Sequence, residues 1–235
     1  MTVLLVASNK DIASRNIAQK LIEEYDFQET SRLFQGNRVY NNTLMNKEVM
    51  LVTIEDEPAF AQYITNSFEP ELIIFVSRHQ SRSGTPTLSV HTPGNLGNAE
   101  VGGLPRKVSV SPANSMKRAL QEMAVQRKRL GLEEYSVSYE GTHHGPSLDV
   151  ATMFVEVGST IKEWEDSRDA EAVAHASVAA LRDDKNVPVA VGIGGPHYNP
   201  KFTELGLRDE LAFGHMIPKY AAQLVDAQLL KHCME

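Results

Sequence analysis

The stretch Tyr139-Glu140-Gly141-Thr142-His143-His144-Gly145-Pro146 sets a carboxylate, two imidazoles and a Gly-Pro turn between two predicted strands. Nowhere else is the chain so dense in groups that titrate near neutral pH. Three other segments are built alike, with histidines beside small or polar residues. They are Ser77-Arg78-His79-Gln80 followed by His91, then Gly192-Ile193-Gly194-Gly195-Pro196-His197-Tyr198, and Phe213-Gly214-His215. These four loops are expected to converge on one hydrolytic site. The motifs of covalent and nucleotide chemistry are missing from the sequence: there is no G-x-x-x-x-G-K-[ST], no G-x-G-x-x-G, no H-E-x-x-H and no G-x-S-x-G. The one cysteine, Cys233, lies near the end of the sequence. Histidines and glutamates without an evident nucleophile point to an activated water, through a histidine base or through a metal that lowers the water's pKa. The residues alone imply an α/β hydrolase of unspecified substrate.

The elements that must position these loops follow from hydrophobic patterning. Val3 to Ala7 is a continuous apolar run, as in a strand buried on both faces. Ser8 or Asn9 then offers an N-cap for a helix over 11–25. Short strands at 38–40 and 44–45 are expected around an Asn41-Asn42 turn, and a firmer strand at 49–54. Pro58 sits where a first-turn proline belongs, predicting a helix over 58–68. The run Leu72-Ile73-Ile74-Phe75-Val76 is a buried strand whose carboxyl end delivers Ser77, Arg78 and His79, and ligands bind beyond such ends in open α/β sheets. A Ser/Gly-rich loop spans 81–105, long enough to suggest function, and Leu88 and Val90 around Ser89 give it some strand character. A basic amphipathic helix is predicted over 114–130 and strands at 135–140 and 153–157. Thr160 and Glu163 form a capping box for a helix running to about 182, in which His175 reads as structural. A strand at 189–193 ends in glycines, a short helix opens at Asn199-Pro200, and Pro218 opens a closing helix. On a continuing strand His143 and His144 would face opposite ways, but the Gly145-Pro146 break lets a turn bring both to one side.

The chain has 235 residues, 42% hydrophobic and 23% charged, which suits one α/β domain over 1–235 with a sizeable core. A net charge of −7 argues against a general nucleic-acid binder. Positive charge is nonetheless concentrated in Lys117, Arg118, Arg127, Lys128 and Arg129, a candidate phosphate-backbone contact. A lone cysteine permits no disulfide within the chain and fits a reducing compartment. No apolar run reaches about 18 residues and no signal segment is evident, so the expectation is a cytoplasmic protein without membrane contact.

Taken in order, the segments Ser77-Arg78-His79-Gln80-Ser81, His91-Thr92-Pro93-Gly94-Asn95, Glu140 to Pro146, Phe154 to Thr160, Gly192 to Thr203 and Phe213 to Tyr220 resemble the D-aminoacyl-tRNA deacylase of archaea and plants. The resemblance spans nearly the whole chain. Family members usually continue past the Pro-Lys-Tyr helix with a further segment, whereas this sequence stops at Glu235. The resemblance implies an esterase that hydrolyses D-aminoacyl-tRNA to free D-amino acid and tRNA, with zinc as cofactor. It also implies a mixed sheet between helix layers, phosphorylase/hydrolase-like and resembling peptidyl-tRNA hydrolase. A monomer or weak dimer is expected. A zinc-dependent amidase, or an enzyme resembling nucleoside phosphorylases, is the alternative on the same fold.

Within that family reading, His143 and His144, with Glu140 or Glu156 near them, are expected to bind zinc or activate the water. His79, His197 and His215 are further candidate ligands or the general acid. Arg78, Lys201 and the amides of Gly194 and Gly195 are candidates for holding a phosphate or the developing oxyanion. Tyr198 joins His79 among the expected substrate contacts. The Gly-Pro pairs 145–146 and 195–196, Pro196 included, are expected to wall the α-carbon rigidly and so select chirality.

Overall fold

The computed structural model describes residues 1–208 and 211–234. Eight strands form one twisted sheet: β1 (Thr2–Ser8), β2 (Gln28–Phe34), β3 (Asn37–Leu44), β4 (Lys47–Ile54), β5 (Leu72–Arg78), β6 (Thr87–His91), β7 (Ser136–Tyr139) and β8 (Ala151–Gly158). Their order is β2-β3-β4-β1-β5-β8-β6-β7. The central β4-β1-β5-β8 block is parallel, β6 is antiparallel to β8, and β2-β3-β4 is an antiparallel meander. Two further strands, β9 (Val189–Ile193) and β10 (Ala212–Ile217), pair in parallel as a small second sheet.

The apolar runs at 3–7 and 72–76 become β1 and β5, buried on both faces as their composition requires. Helices α1 (Ile12–Glu24), α2 (Ala113–Arg129), α3 (Ile161–Glu165) and α4 (Ser167–Ala179) follow, with α5 (Pro200–Leu207) and α6 (Ala227–His232) nearer the end. One core joins Ile17, Leu21, Met116, Leu120, Met123 and Val173 to Val76, Val90, Val155 and Val157, so α1, α2 and α4 cover one sheet face. Phe75 and Phe154, one residue out of phase, belong to a separate core on the other face.

Several expectations are corrected. The cap of α1 is Asp11, whose carboxylate accepts from the Ser14 amide, rather than Ser8 or Asn9. Asn41 and Asn42 lie inside β3; the hairpin turns fall at Gln35-Gly36 and at Met45-Asn46, where positive φ values of 51° and 60° supply the bend. The segment 58–68 forms only two 3-10 turns, Pro58–Phe60 and Ile64–Asn66. The Thr160–Glu163 capping box is present, but the helix it opens stops at Glu165 and restarts with Asp166 as a new cap. After Pro218 a 3-10 turn, Ala222–Leu224, precedes α6, which takes its own cap from Asp226.

Candidate active site

Glu156 shares the face of Phe154, two residues along β8, and β6 pairs His91 with Phe154 and Ser89 with Glu156. His91 therefore rises from the same face, its ring stacked on Phe154 with centroids 5.1 Å apart. Beyond β7, Glu140 donates its amide to the carbonyl of Val90, which brings its fully buried carboxylate alongside. His79 arrives from the end of β5, and its amide bonds to Val157. The second sheet closes the far side: Gly141 and Thr142 donate to the carbonyls of His197 and Met216.

His143 and His144 do point to one side, with ring centroids 4.3 Å apart. The backbone of His144 is left-handed, φ 40°, an uncommon state for a side chain-bearing residue and one that recurs at functional sites. Each ring is fixed through Nδ1, His143 on the Gly141 carbonyl at 2.9 Å and His144 on the Gly145 carbonyl at 2.6 Å. With Nδ1 protonated for these bonds, both Nε2 atoms are left with lone pairs. Burial pushes both pKa values down, His143 well below its usual value with help from neighbouring His144 and His91, and His144 to about 4. Both are thus neutral at pH 7.

Ligand-capable atoms of His91, His143 and His144 lie within 4.8 Å of one another, as do those of Glu140, His143 and His197, and those of His79, Glu140 and Glu156. Both ring nitrogens of His91 and Oε1 of Glu140 are buried without a hydrogen-bond partner. Native interiors rarely leave such atoms unsatisfied. The imidazoles of His91, His143 and His144, the last two held neutral, form with the carboxylates behind them a donor set of the borderline-soft nitrogen and oxygen kind that zinc takes. The residues therefore fit that metal.

The carboxylates organise the remainder. Glu140 Oε2 is 3.0 Å from His197 Nε2 and 3.8 Å from His143 Nε2, and Oε1 is 3.2 Å from His79 Nδ1. Burial would raise the pKa of Glu140, but the bond to His197 and the charge of His79 outweigh it and hold the group below its usual value. Glu156 accepts from Ser77 Oγ at 2.7 Å and stands 3.5 Å from His79 Nδ1 and 3.7 Å from His91 Nε2. The last separation is an ion-pair distance, too long for a hydrogen bond. Burial opposes protonation of His79, yet Glu156 and Glu140 carry its pKa up to about 9. On its other side His79 Nε2 hydrogen-bonds the phenol of Tyr198, while the phenol of Tyr220 lies 3.1 Å from His197 Nδ1.

These groups border a cavity of about 690 Å³, lined among others by Arg78, His79, His143, His144, Glu156, His197 and Tyr198. A second cavity of about 630 Å³ adjoins it and shares Tyr198.

Some residues singled out from sequence are placed elsewhere. His215 is no ligand here: its nitrogens bond Thr142 Oγ1 at 3.1 Å and the Ser109 carbonyl at 3.0 Å, and it is buried. Glu156 stands behind the imidazoles of His79 and His91 rather than grouped with His143 and His144. Arg78 lines the cavity, but its guanidinium is clamped on both carboxylate oxygens of Glu57 at 2.9 and 3.0 Å. Lys201 pairs with Glu204 on the exposed surface, 3.3 Å away. The glycines 194 and 195 form a tight turn with φ of 102° and 77°, and the Gly194 amide is already donated to Ile217, which removes it as an oxyanion donor. Pro196 lines the second cavity, not the first.

The basic helix α2 lies across the sheet from the site. Lys117 is buried with its ammonium on the Gly206 carbonyl, Arg118 bonds Asn186 at 2.7 Å, Arg127 bonds the Tyr135 carbonyl at 3.2 Å, and Arg129 pairs with Glu171. Lys128 is exposed on the same helix. Lys117, Arg118, Arg127 and Arg129 thus serve the protein's own acids, amides and carbonyls. His91, by contrast, has no role of its own among the sequence-based expectations. The alternation Leu88-Ser89-Val90-His91 carried the signal, since a strand there turns His91 away from the apolar face.

Fold and site together define an α/β protein with a buried histidine–carboxylate centre facing a cavity, an arrangement suited to activating water for hydrolysis. A family model described as D-aminoacyl-tRNA deacylase matches residues 66–235. A D-aminoacyl-tRNA deacylase of Pyrococcus abyssi is 40% identical over 237 residues, covering 97% of this chain and 84% of that protein. One of Methanosarcina mazei is 36% identical over 242 residues, covering 99% and 80%. The crystal structure of a conserved protein of unknown function has a TM-score of 0.89 at 32% identity, covering 99% of this chain and 82% of that one. The chain belongs to the D-aminoacyl-tRNA deacylase family.

Proposed function

We propose that the protein hydrolyses the ester linking a D-amino acid to the terminal adenosine of tRNA, releasing both. Family membership supports the substrate, and one observation supports the chemistry: ligand-capable nitrogens of His91, His143 and His144 converge, and the latter two line the cavity. These three residues would hold zinc, with Glu156 steadying His91 from behind. When bound, zinc supplies a Lewis acid that makes water nucleophilic near pH 7.

The chain's own residues do the rest. Such an ester is already reactive, so orientation, a base and an acid suffice. Glu140 accepts the proton of the water that attacks the carbonyl carbon. His197, 3.0 Å from Glu140, returns a proton to the ribose oxygen as the ester C–O bond breaks. Tyr220 orients the His197 ring through Nδ1, and Tyr198 orients His79. The packed walls formed by His143, His144 and Phe154 leave little freedom around the α-carbon, which supports selection by shape.

The fold suits the phosphorylase/hydrolase group, with peptidyl-tRNA hydrolase as the expected likeness; the parallel β4-β1-β5-β8 block supports that placement. We place the protein in the cytoplasm as a monomer or weak dimer, which fits a single free cysteine. Among the described residues no helix is long and apolar enough to cross a membrane.

The test is release of amino acid from tRNA charged with D-tyrosine or L-tyrosine, before and after chelation with zinc add-back. D-selective release that is lost with chelator and restored by zinc supports the whole reading. D-selective release indifferent to chelator removes the metal and leaves the Glu140–His197 pair. Release of neither amino acid overturns the reading.

A further inference from the structure

The mechanism leaves the second cavity unused. It opens beside the first, and Tyr198 is common to both. Val137, Pro196, Pro200 and Leu207 give it apolar walls, and Ser136 and Thr203 add hydroxyls to the lining. Thr203 is held in place, since its Oγ1 accepts from the Tyr139 amide at 3.0 Å. The chain between β5 and β6 runs along both cavities: Ser81 and Arg82 line the first, Ser83 and Thr85 the second.

We infer that this second cavity receives the adenine ring of the substrate's terminal adenosine, an inference that rests on the reading of the protein as acting on aminoacyl-tRNA. With the ester carbon at the imidazoles, the leaving ribose must lie on one side of it and the amino-acid side chain on another. Tyr198 borders both cavities, so a ribose beside it directs its base towards the second. A volume of about 630 Å³ falls in the ordinary range for small-molecule sites. Apolar walls with a few hydroxyls match a flat ring that is apolar on its faces and polar at its edge. Fixed walls also suit the invariant part of the substrate better than its variable side chain. Arg82 adds a separate observation: it is exposed at the mouth and makes no ion pair among the described residues. That position suits the phosphate preceding the terminal nucleoside.

The experiment compares D-tyrosyl-adenosine with D-tyrosine methyl ester, which share the acyl part and differ in the leaving group. Ser136→Trp and Leu207→Trp each add an indole to the lining and obstruct the cavity. The ratio of kcat/KM for the adenosyl ester to that for the methyl ester should fall at least tenfold in either variant. Photolabelling of the unaltered protein with 8-azidoadenosine should modify the segments 83–87, 136–138 or 196–207, and this arm does not depend on how the variants fold. A ratio that stays constant, a label elsewhere, or variants that alter preference among D-amino acids without altering the ratio would overturn the inference. Failure of the deacylase reading shows separately, as absence of D-tyrosine release from charged tRNA by the unaltered protein.

Discussion

Replacing His91 with Phe should make the metal-free protein no less stable while removing its response to zinc. His91 is fully buried, and neither ring nitrogen has a hydrogen-bond partner. Burying unsatisfied polar atoms costs about 1–3 kcal/mol. Phenylalanine removes that penalty and keeps the stacking on Phe154, whose plane is inclined only 10° to the imidazole. The larger ring adds a packing cost of about 1 kcal/mol, because the ring centroids of His143 and His144 stand 4.4 and 4.9 Å away. Glu156 keeps Ser77 and His79 as partners. The net change in chelated protein is therefore about 0–2 kcal/mol in favour of the variant, a rise in Tm of up to roughly 8 °C for a chain of this size. With zinc at about a hundred times its Kd the unaltered protein gains about 2.7 kcal/mol and the variant does not, so the order of stability reverses. Thermal melts with chelator and with zinc, together with D-tyrosine release, read both effects. A chelated variant that loses more than about 3 kcal/mol would refute the reasoning, since it would show His91 and Glu156 acting as a buried ion pair that the fold depends on. An undiminished stabilisation by zinc would refute His91 as a ligand.

Three more outcomes follow from the geometry. His215 is held neutral, burial pushing its pKa down to about 4, while the unfolded chain protonates near 6.5; unfolding therefore takes up a proton in that window, and stability falls by roughly 3 kcal/mol as pH drops from about 6.5 to 4. Denaturation of His215→Gln across that range should show a shallower slope, with zinc stoichiometry intact. A Cβ on Gly158 would meet the His79 carbonyl oxygen at 2.3 Å, so Gly158→Ala must displace the strand end that carries His79 and should lower kcat by about 10–100-fold, measured by single-turnover deacylation. Charge reversal at the exposed Lys128, across the sheet from the cavity, should leave deacylation of D-tyrosyl-tRNA within about twofold and its salt dependence unaltered, whereas Lys117→Met should lower the melting temperature by leaving the Gly206 carbonyl without its ammonium.

Much of this protein is settled by local patterning. Continuous apolar runs can only be strands covered on both sides, which fixes β1 and β5, and the stripe Met116, Ala119, Leu120 and Met123 can only be a helix face turned to a core. The ordered His, Glu and Gly-Pro segments likewise carry the family and its class of chemistry. Sequence could not determine which of these groups meet, because that depends on pairings between distant strands. The antiparallel register of β6 on β8 puts His91 over Phe154 and beside Glu156, and the small sheet of β9 and β10 brings His197 to Glu140. The same three-dimensional arrangement takes His215 out of the site by occupying both its nitrogens, and it turns the cations of α2 to the opposite face. A residue's type sets what chemistry it can do, but strand register and the face it lands on decide whether it is available to do it.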